Sequence, residues 1–235
     1  MIITIGKPCA ITEKGGRSNN EDSIYPLPEQ VTLDQKLFMV CDGVGGAEKG
    51  EVASSLACES IQTFFSTFLK DDPTPEFIHK AVHYAEVCFD SYVQEHPEAM
   101  GMATTLTMAY IASSGIVLAH IGDSRIYHLR KGEILYQTED HSLLNELSRI
   151  RELSFDEKKR YKHIITRSIM GNADDKVDHD NLELCFGDEI LICTDGMYNE
   201  YPIDYLIESI RMDKLDIEKK NDSFMDNHSF IYILL

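Results

Sequence analysis

The chain is short of basic residues. Lys and Arg number 22 against 40 Asp and Glu, leaving a formal charge of −18. Such a net field repels nucleic acid and anionic membranes, which argues against a polyanion-binding module, although bound divalent cations can invert the potential locally. No apolar run approaches the roughly 18–20 residues needed to span a bilayer. The N-terminal Met1-Ile-Ile-Thr-Ile lacks the basic flank and cleavage pattern of a secretory signal. These absences read as a soluble cytoplasmic protein. The six cysteines, at 9, 41, 58, 88, 185 and 193, include no C-x-x-C pair. Neither a thiolate zinc site nor a disulfide framework is expected. Cys9, Cys41, Cys185 and Cys193 fall in apolar runs and are expected to pack as small hydrophobes.

Two further motifs are missing. No G-x-S-x-G elbow is present to expose a serine nucleophile. Gly45-Gly-Ala-Glu-Lys-Gly50 has P-loop glycine spacing, but Glu51-Val52 follows where the phosphate-binding Lys and a Ser or Thr belong. Nucleotide binding there is rejected. The glycines suit a close approach of backbone carbonyls to a metal instead.

With 235 residues, 43% of them hydrophobic, the chain is expected to form one domain, 1–235. No repeat, low-complexity tract or linker divides it. Strands are expected near 2–5 and 8–12 and at 37–41. Helices follow over 48–69, with Val52, Leu56, Ile61, Phe64, Phe65 and Phe68 at helical spacing, and over 74–95, with Phe77, Ile78, Ala81, Ala85, Val87, Cys88 and Tyr92 as the packing face. The period then changes. Residues 104–112, 115–121, 125–130 and 133–137 read as an antiparallel meander with hairpin turns at Ser113-Ser-Gly115 and Lys131-Gly132. A charged helical stretch covers 142–162, strand returns at 181–194, a helix covers 203–220, and 229–234 closes the chain. The class is α/β with mostly antiparallel strands.

Against this background the aspartates stand out. Leu37-Phe-Met-Val-Cys41 runs into Asp42, Val117-Leu-Ala-His-Ile-Gly122 into Asp123, and Ile190-Leu-Ile-Cys-Thr194 into Asp195. Asp226 stands just before Phe230-Ile-Tyr-Ile-Leu-Leu235. An apolar strand ending in a carboxylate aims it at the rim of a sheet. Any one of these is an ordinary turn residue, but four are hard to explain unless they meet around a hard cation, because unpaired like charges close together are costly. Glu21-Asp22 add two more acids. Oxygen-only donors select Mg²⁺, Mn²⁺ or Ca²⁺. A pair of such ions sharing a carboxylate and a water turns that water into a nucleophile for phosphoryl groups. Arg17, five residues before Asp22, has the fork that holds phosphate oxygens. His141 is a candidate proton donor to a leaving oxygen. His120 is expected to be packed within its strand.

In order along the chain, eight blocks carry a resemblance. They are Arg17-Ser-Asn-Asn-Glu-Asp22; Asp42-Gly-Val-Gly-Gly46 with Gly50 and Ala53-Ser54; Gly101-Met-Ala-Thr-Thr105; and Gly122-Asp-Ser-Arg125. The rest are Thr138-Glu-Asp-His-Ser142; Ile165-Thr-Arg-Ser168 with Gly171; Gly187-Asp188 with Thr194-Asp-Gly196; and Asp226-Asn227. The chain resembles the PP2C (PPM) family of metal-dependent serine/threonine protein phosphatases, in its compact bacterial form.

The resemblance implies a four-layer αββα sandwich, two antiparallel central sheets flanked by helices. It implies Mg²⁺ or Mn²⁺, two ions with room for a third, and hydrolysis of phosphoserine or phosphothreonine by a metal-bridging water. Phosphorylated proteins would be the substrates, a bacterial serine/threonine kinase the opposing enzyme, and a monomer the acting form. Asp42 then looks like the bridging ligand, Gly43 a carbonyl ligand, and Asp195 and Asp226 ligands of the first ion. Glu21 and Asp22 look like the acidic pair beside the ions, Asp123 a third-site ligand and Arg17 the phosphate-binding residue. Residues 143–165 match the flap that influences substrate choice. The chain departs from the family at Val44, at Met197-Tyr198 and at His228, and its 195–226 segment is short, so Asp222 is the fallback for Asp226. A catalytically inactive phosphoprotein-binding module on this fold is the alternative.

Overall fold

Alternation of apolar side chains along the strands decides the layering. The computed structural model describes residues 5–44, 49–171, 176–212 and 224–235. Strand β3 (Leu37–Asp42) sends Met39 and Cys41 to one core and Phe38 and Val40 to another. In β11 (Asp188–Cys193) and β12 (His228–Leu234), Ile190, Ile192, Ile231 and Ile233 enter the same middle core as Phe38, while Leu191, Cys193, Phe230 and Tyr232 enter a third. A strand buried on both faces needs two partners, and burial of each large apolar side chain contributes about 1.5–3 kcal/mol.

Two five-stranded antiparallel sheets result. One has the order β1 (Cys9–Glu13), β12, β11, β7 (Arg125–Arg130), β8 (Glu133–Gln137). The other runs β10 (Asp178–Leu182), β6 (Gly115–Ile121), β5 (Leu106–Ala112), β3, β2 (Asp22–Tyr25). Helices α1 (Gly50–Phe68) and α2 (Pro75–Glu95) cover the second sheet, and α5 (Asp195–Glu200) and α6 (Ile203–Arg211) cover the first. The expected αββα sandwich is therefore present. A two-stranded ribbon, β4 (Ala103–Thr104) with β9 (Ile169–Met170), is bridged to the end of β3 through Thr104 and Gly43.

Several expectations are corrected. The meander over 104–137 is two hairpins in different sheets. β5 pairs with β6 and β7 with β8, and the chain crosses between sheets at Gly122-Asp123-Ser124. The 181–194 strand is likewise two, β10 and β11, one in each sheet. The 142–162 helix divides into α3 (Leu143–Ser148) and α4 (Phe155–Tyr161) because Ser154 caps a new start, its side chain and that of Glu157 forming a reciprocal capping box. On α2, Val87 is exposed and Phe89 is buried instead; Phe68 of α1 is also exposed. Cys9 and Cys185 are exposed, whereas Cys41, Cys58 and Cys193 are buried. Residues 1–4, the glycine-rich stretch 45–48, the distal part of the 203–220 helix and Asp222 lie outside the described residues.

A buried carboxylate with several partners sits at the end of the first sheet away from Asp195. Asp188 accepts from Arg130 Nε and Nη2 (2.7 and 2.8 Å), and its Oδ2 also lies 2.8 Å from His128 Nε2. The Cys185 backbone N–H donates to it at 2.8 Å.

A candidate metal-dependent active site

The strand ends meet. Arg17, Glu21, Asp42, Gly43, Asp123, Asp195 and Asp226 line one cleft of about 460 Å³, with residues 163–165 on its opposite bank. Three strand ends and one helix start bring the four aspartates there. Asp42 is the last residue of β3, Asp123 lies on the crossing between sheets, Asp195 opens α5, and Asp226 precedes β12. Asp22 starts β2, a strand not foreseen, and stands opposite Asp42 in the β2–β3 ladder. Directly opposed like charges destabilise a ladder, so this pair is a cost the fold carries. Glu21 faces the cleft, while Asp22 is buried.

Electrostatics records the crowding. Burial pushes the Asp42 carboxyl well above its usual range, and the charges of Asp22, Asp195, Asp123 and Asp226 push it further. Asp22 is raised to about 7, by burial first and then by Asp195 and Asp226, against hydrogen bonds from Ser229 and Thr194. Asp123 is also raised to about 7, by burial and by Asp195 and Asp140. Asp195 and Glu21 shift the same way, burial again leading. Asp22 Oδ2 accepts from Thr194 Oγ1 at 3.0 Å, but its Oδ1 is buried with no partner. A buried carboxylate oxygen without a donor calls for a cation or a water.

That donor set, all carboxylate and carbonyl oxygen around desolvated charge, fits a hard divalent cation. Among the described residues no three His, Cys, Asp or Glu side chains close on one point as a ready-made cage. The acids line an open cleft, so water would complete any coordination shell.

Backbone close approaches set the cleft's floor. A Cβ on Gly43 would lie 2.5 Å from the carbonyl carbon of Gly50, so the start of α1 packs directly on the chain beside Asp42. A Cβ on Gly196 would lie 1.9 Å from the Asn227 carbonyl oxygen. Hydroxyls then fix Asp42. Thr105 Oγ1 accepts from its N–H at 2.9 Å, and Thr104 Oγ1 donates to its carbonyl at 2.9 Å.

Two residues that sequence reasoning left without a role organise the site. Asn227 accepts from the Glu21 N–H at 2.9 Å and donates to the Lys14 and Asn19 carbonyls, each at 2.8 Å. It clamps the Arg17 loop to the segment carrying Asp226. Tyr198 donates to the Asp123 carbonyl at 3.0 Å, and the Arg125 guanidinium lies 3.8 Å from its ring centre. It ties the helix bearing Asp195 to the crossing bearing Asp123. The signals were in view, as Asn227 inside a resembling block and Tyr198 as a departure, but sequence spacing does not show hydrogen bonds across 75 residues for Tyr198 or more than 200 for Asn227. Asn227→Ala should lower stability by about 2–3 kcal/mol, because three hydrogen bonds of a buried side chain, to the Lys14 and Asn19 carbonyls and from the Glu21 N–H, are lost together. Thermal melting would show this as a fall of about 5–10 °C.

His141 does not line the cleft. It is buried, its Nδ1 accepts from the Gly122 N–H at 2.9 Å, and its Nε2 lies 3.0 Å from Asp178. Burial lowers its pKa against the pull of Asp178. His120 is packed as expected, its ring 4.6 Å from that of His141, and burial drives it down to about 3. Arg17 Nη2 donates to Asp226 at 2.8 Å at the mouth of the cleft.

A sequence profile of the family described as protein phosphatase 2C matches residues 15–222. The chain belongs to that family. It is 31% identical to the serine/threonine phosphatase stp of Listeria innocua over 224 residues, which covers 91% of this chain and 86% of that one. Its fold superposes on the serine/threonine phosphatase Stp1 of Staphylococcus aureus with a TM-score of 0.80 at 25% identity, covering 100% and 98% of the two chains. It superposes on the catalytic domain of the phosphatase PstP, solved with two manganese ions, with a TM-score of 0.79 at 26% identity, covering 98% of each chain. Membership agrees with the cleft's chemistry, which was assembled from residues far apart in the chain. No described helix is long and apolar enough to cross a membrane.

Proposed function

We propose that this chain hydrolyses phosphoserine and phosphothreonine on proteins, using Mg²⁺ or Mn²⁺ held by the acidic cleft. The observation that carries the reading is the surroundings of Asp42. It is desolvated, opposed across a ladder by Asp22, and shares one cleft with four other carboxylates and an arginine. When bound, a pair of hard cations supplies an activated water and neutralises charge on the phosphoryl oxygens.

The residues would act as follows. Asp42 and the Gly43 carbonyl beside it would hold the cations. Asp195 and Asp226 complete the first site. Glu21 acts at the rim, and Asp22 acts from beneath through water. Asp123, with Asp195, is suited to a third ion. Arg17 grips the substrate phosphate from the mouth and orients it for in-line attack. His141 holds the Gly122-Asp123 corner through its Nδ1, and the leaving oxygen takes its proton from water. Residues 143–165 act as a flap, because residues 163–165 form one bank of the cleft. The protein would work as a cytoplasmic monomer that reverses a serine/threonine kinase.

Purified protein with Mn²⁺ should hydrolyse p-nitrophenyl phosphate and a phosphothreonine peptide, and EDTA should abolish both activities. Absence of turnover with either cation would sink the proposal. Calorimetry showing phosphopeptide bound with no phosphate released would favour the inactive binding module instead.

A further inference from the structure

A second cavity, of about 410 Å³, opens on the far side of His163. His163 and Asp195 line both cavities, so they share a wall. Two of the acids that line the second cavity are paired with arginines. Arg125 donates to both oxygens of Asp140 at 2.8 Å and lies over the Tyr198 ring. Glu139 is paired with Arg149 at 2.6 Å. The cation left over is Lys162, on the outer rim. Lys162 and His163 are exposed there, and among the described residues neither makes an ion pair. Lys162 acts on the Asp195 carboxyl through space, without an ion pair to hold it there, so in a chain of net charge −18 its ammonium remains open to an incoming anion.

We propose that this cavity is a subsite for the residue flanking the phosphorylated serine or threonine, and that Lys162, with the His163 ring beside it, selects an anionic side chain there, a carboxylate or a second phosphate. An extended peptide whose phosphate lies at Arg17 passes His163 to reach the second cavity. The pairing of Arg125 with Asp140 and of Glu139 with Arg149 offsets those acids' repulsion of an anionic flank, and the remaining acid, Asp195, is offset by Lys162 and by the metal site it would serve. The inference rests on the phosphatase reading and adds a substrate preference to it. It also gives a use to Tyr198, at which this chain departs from the family pattern. The aromatic ring and the guanidinium over it form the flat inner wall against which a flanking side chain would lie.

The test uses Mn²⁺-loaded protein with p-nitrophenyl phosphate and three phosphothreonine peptides. Their flanking positions carry Glu, phosphothreonine or Lys. The Glu and phosphothreonine flanks should exceed the Lys flank in kcat/KM by about three- to fivefold, the range of a solvent-exposed charge pair, and the gap should shrink in high salt. Lys162→Glu should bring the ratio to one or reverse it. Lys162 is exposed, so the exchange leaves the core packing untouched. A carboxylate preference without one for the second phosphate assigns the subsite to acidic sequences, and the opposite assigns it to multiply phosphorylated ones. Hydrolysis of p-nitrophenyl phosphate with no preference for either anionic flank, or a preference unchanged in Lys162→Glu, overturns the subsite and leaves the phosphatase reading standing. Failure to hydrolyse p-nitrophenyl phosphate removes the phosphatase reading and the subsite together.

Discussion

Asp42→Asn should lower kcat/KM for a phosphothreonine peptide by at least about 1,000-fold, a loss of ~4 kcal/mol of transition-state stabilisation. The change keeps the shape of the side chain and removes only its charge. Asp42 is the point on which the other acids act: Asp22 opposes it in the ladder, and Asp195, Asp123 and Asp226 all raise its carboxyl. A cation pair sharing this oxygen ligand would lose its common anchor. The same substitution removes a buried charge from a crowded cluster. Without added metal, the variant should therefore melt no lower than the parent protein. This pairing of lost turnover with retained stability separates a ligand from a packing residue. Retention of more than about a tenth of the activity, in a variant that still binds Mn²⁺ normally by calorimetry, would overturn the assignment of Asp42.

Asp188→Ala should do the reverse, unfolding the protein while leaving the chemistry of the folded fraction unchanged. Removing one partner of a buried ion pair costs about 3–5 kcal/mol, because the remaining charge is left uncompensated. For a chain of this size that is a fall of about 6–20 °C in Tm. Burial alone would raise the Asp188 carboxyl. The Arg130 hydrogen bonds, the Cys185 N–H and His128 outweigh that, and hold it well below the usual range. The folded-state value lies below the unfolded one, so the stabilisation is fully present above about pH 4 and is lost as pH falls through the folded value. The difference between parent and variant should be largest near neutral pH and narrow progressively in acid. Urea melts at pH 7 and pH 3 measure it. A cost under about 1 kcal/mol at pH 7 would show that Arg130 and His128 find other partners.

These two aspartates show what was legible in the sequence. Both stand in resembling blocks, and nothing in the one-dimensional pattern says that one lines a cleft and the other crosslinks the opposite end of a sheet. The strand-end acids were legible because an apolar run ending in a carboxylate has one geometric reading. The division of 104–137 between two sheets was not. β6 and β7 look like neighbours in a meander, and only their packing shows that the chain crosses at Gly122-Asp123-Ser124. That crossing is what carries Asp123 into the cleft. β2 was hidden because Asp22-Ser-Ile-Tyr25 is short and starts on an acid, and its pairing with β3 depends on a non-local ladder. The break between α3 and α4 was readable in principle, since Ser154 and Glu157 have the spacing of a capping box.

Strand β12 lies between β1 and β11, and Asn227 just ahead of it grips Lys14, Asn19 and Glu21. β1 is therefore cut off from β11 until residues 228–234 are in place, and the Arg17 loop lacks its Asn227 clamp until then. Contacts this far apart in the chain form late, since a long loop must close first. Without residues 226–234 seated, helices α1 and α2 could cover their sheet, but the cleft would lack Asp226 and the Asn227 clamp on the Arg17 loop. Completion of the site is thus coupled to the docking of a single late strand, and the chemistry waits on the topology.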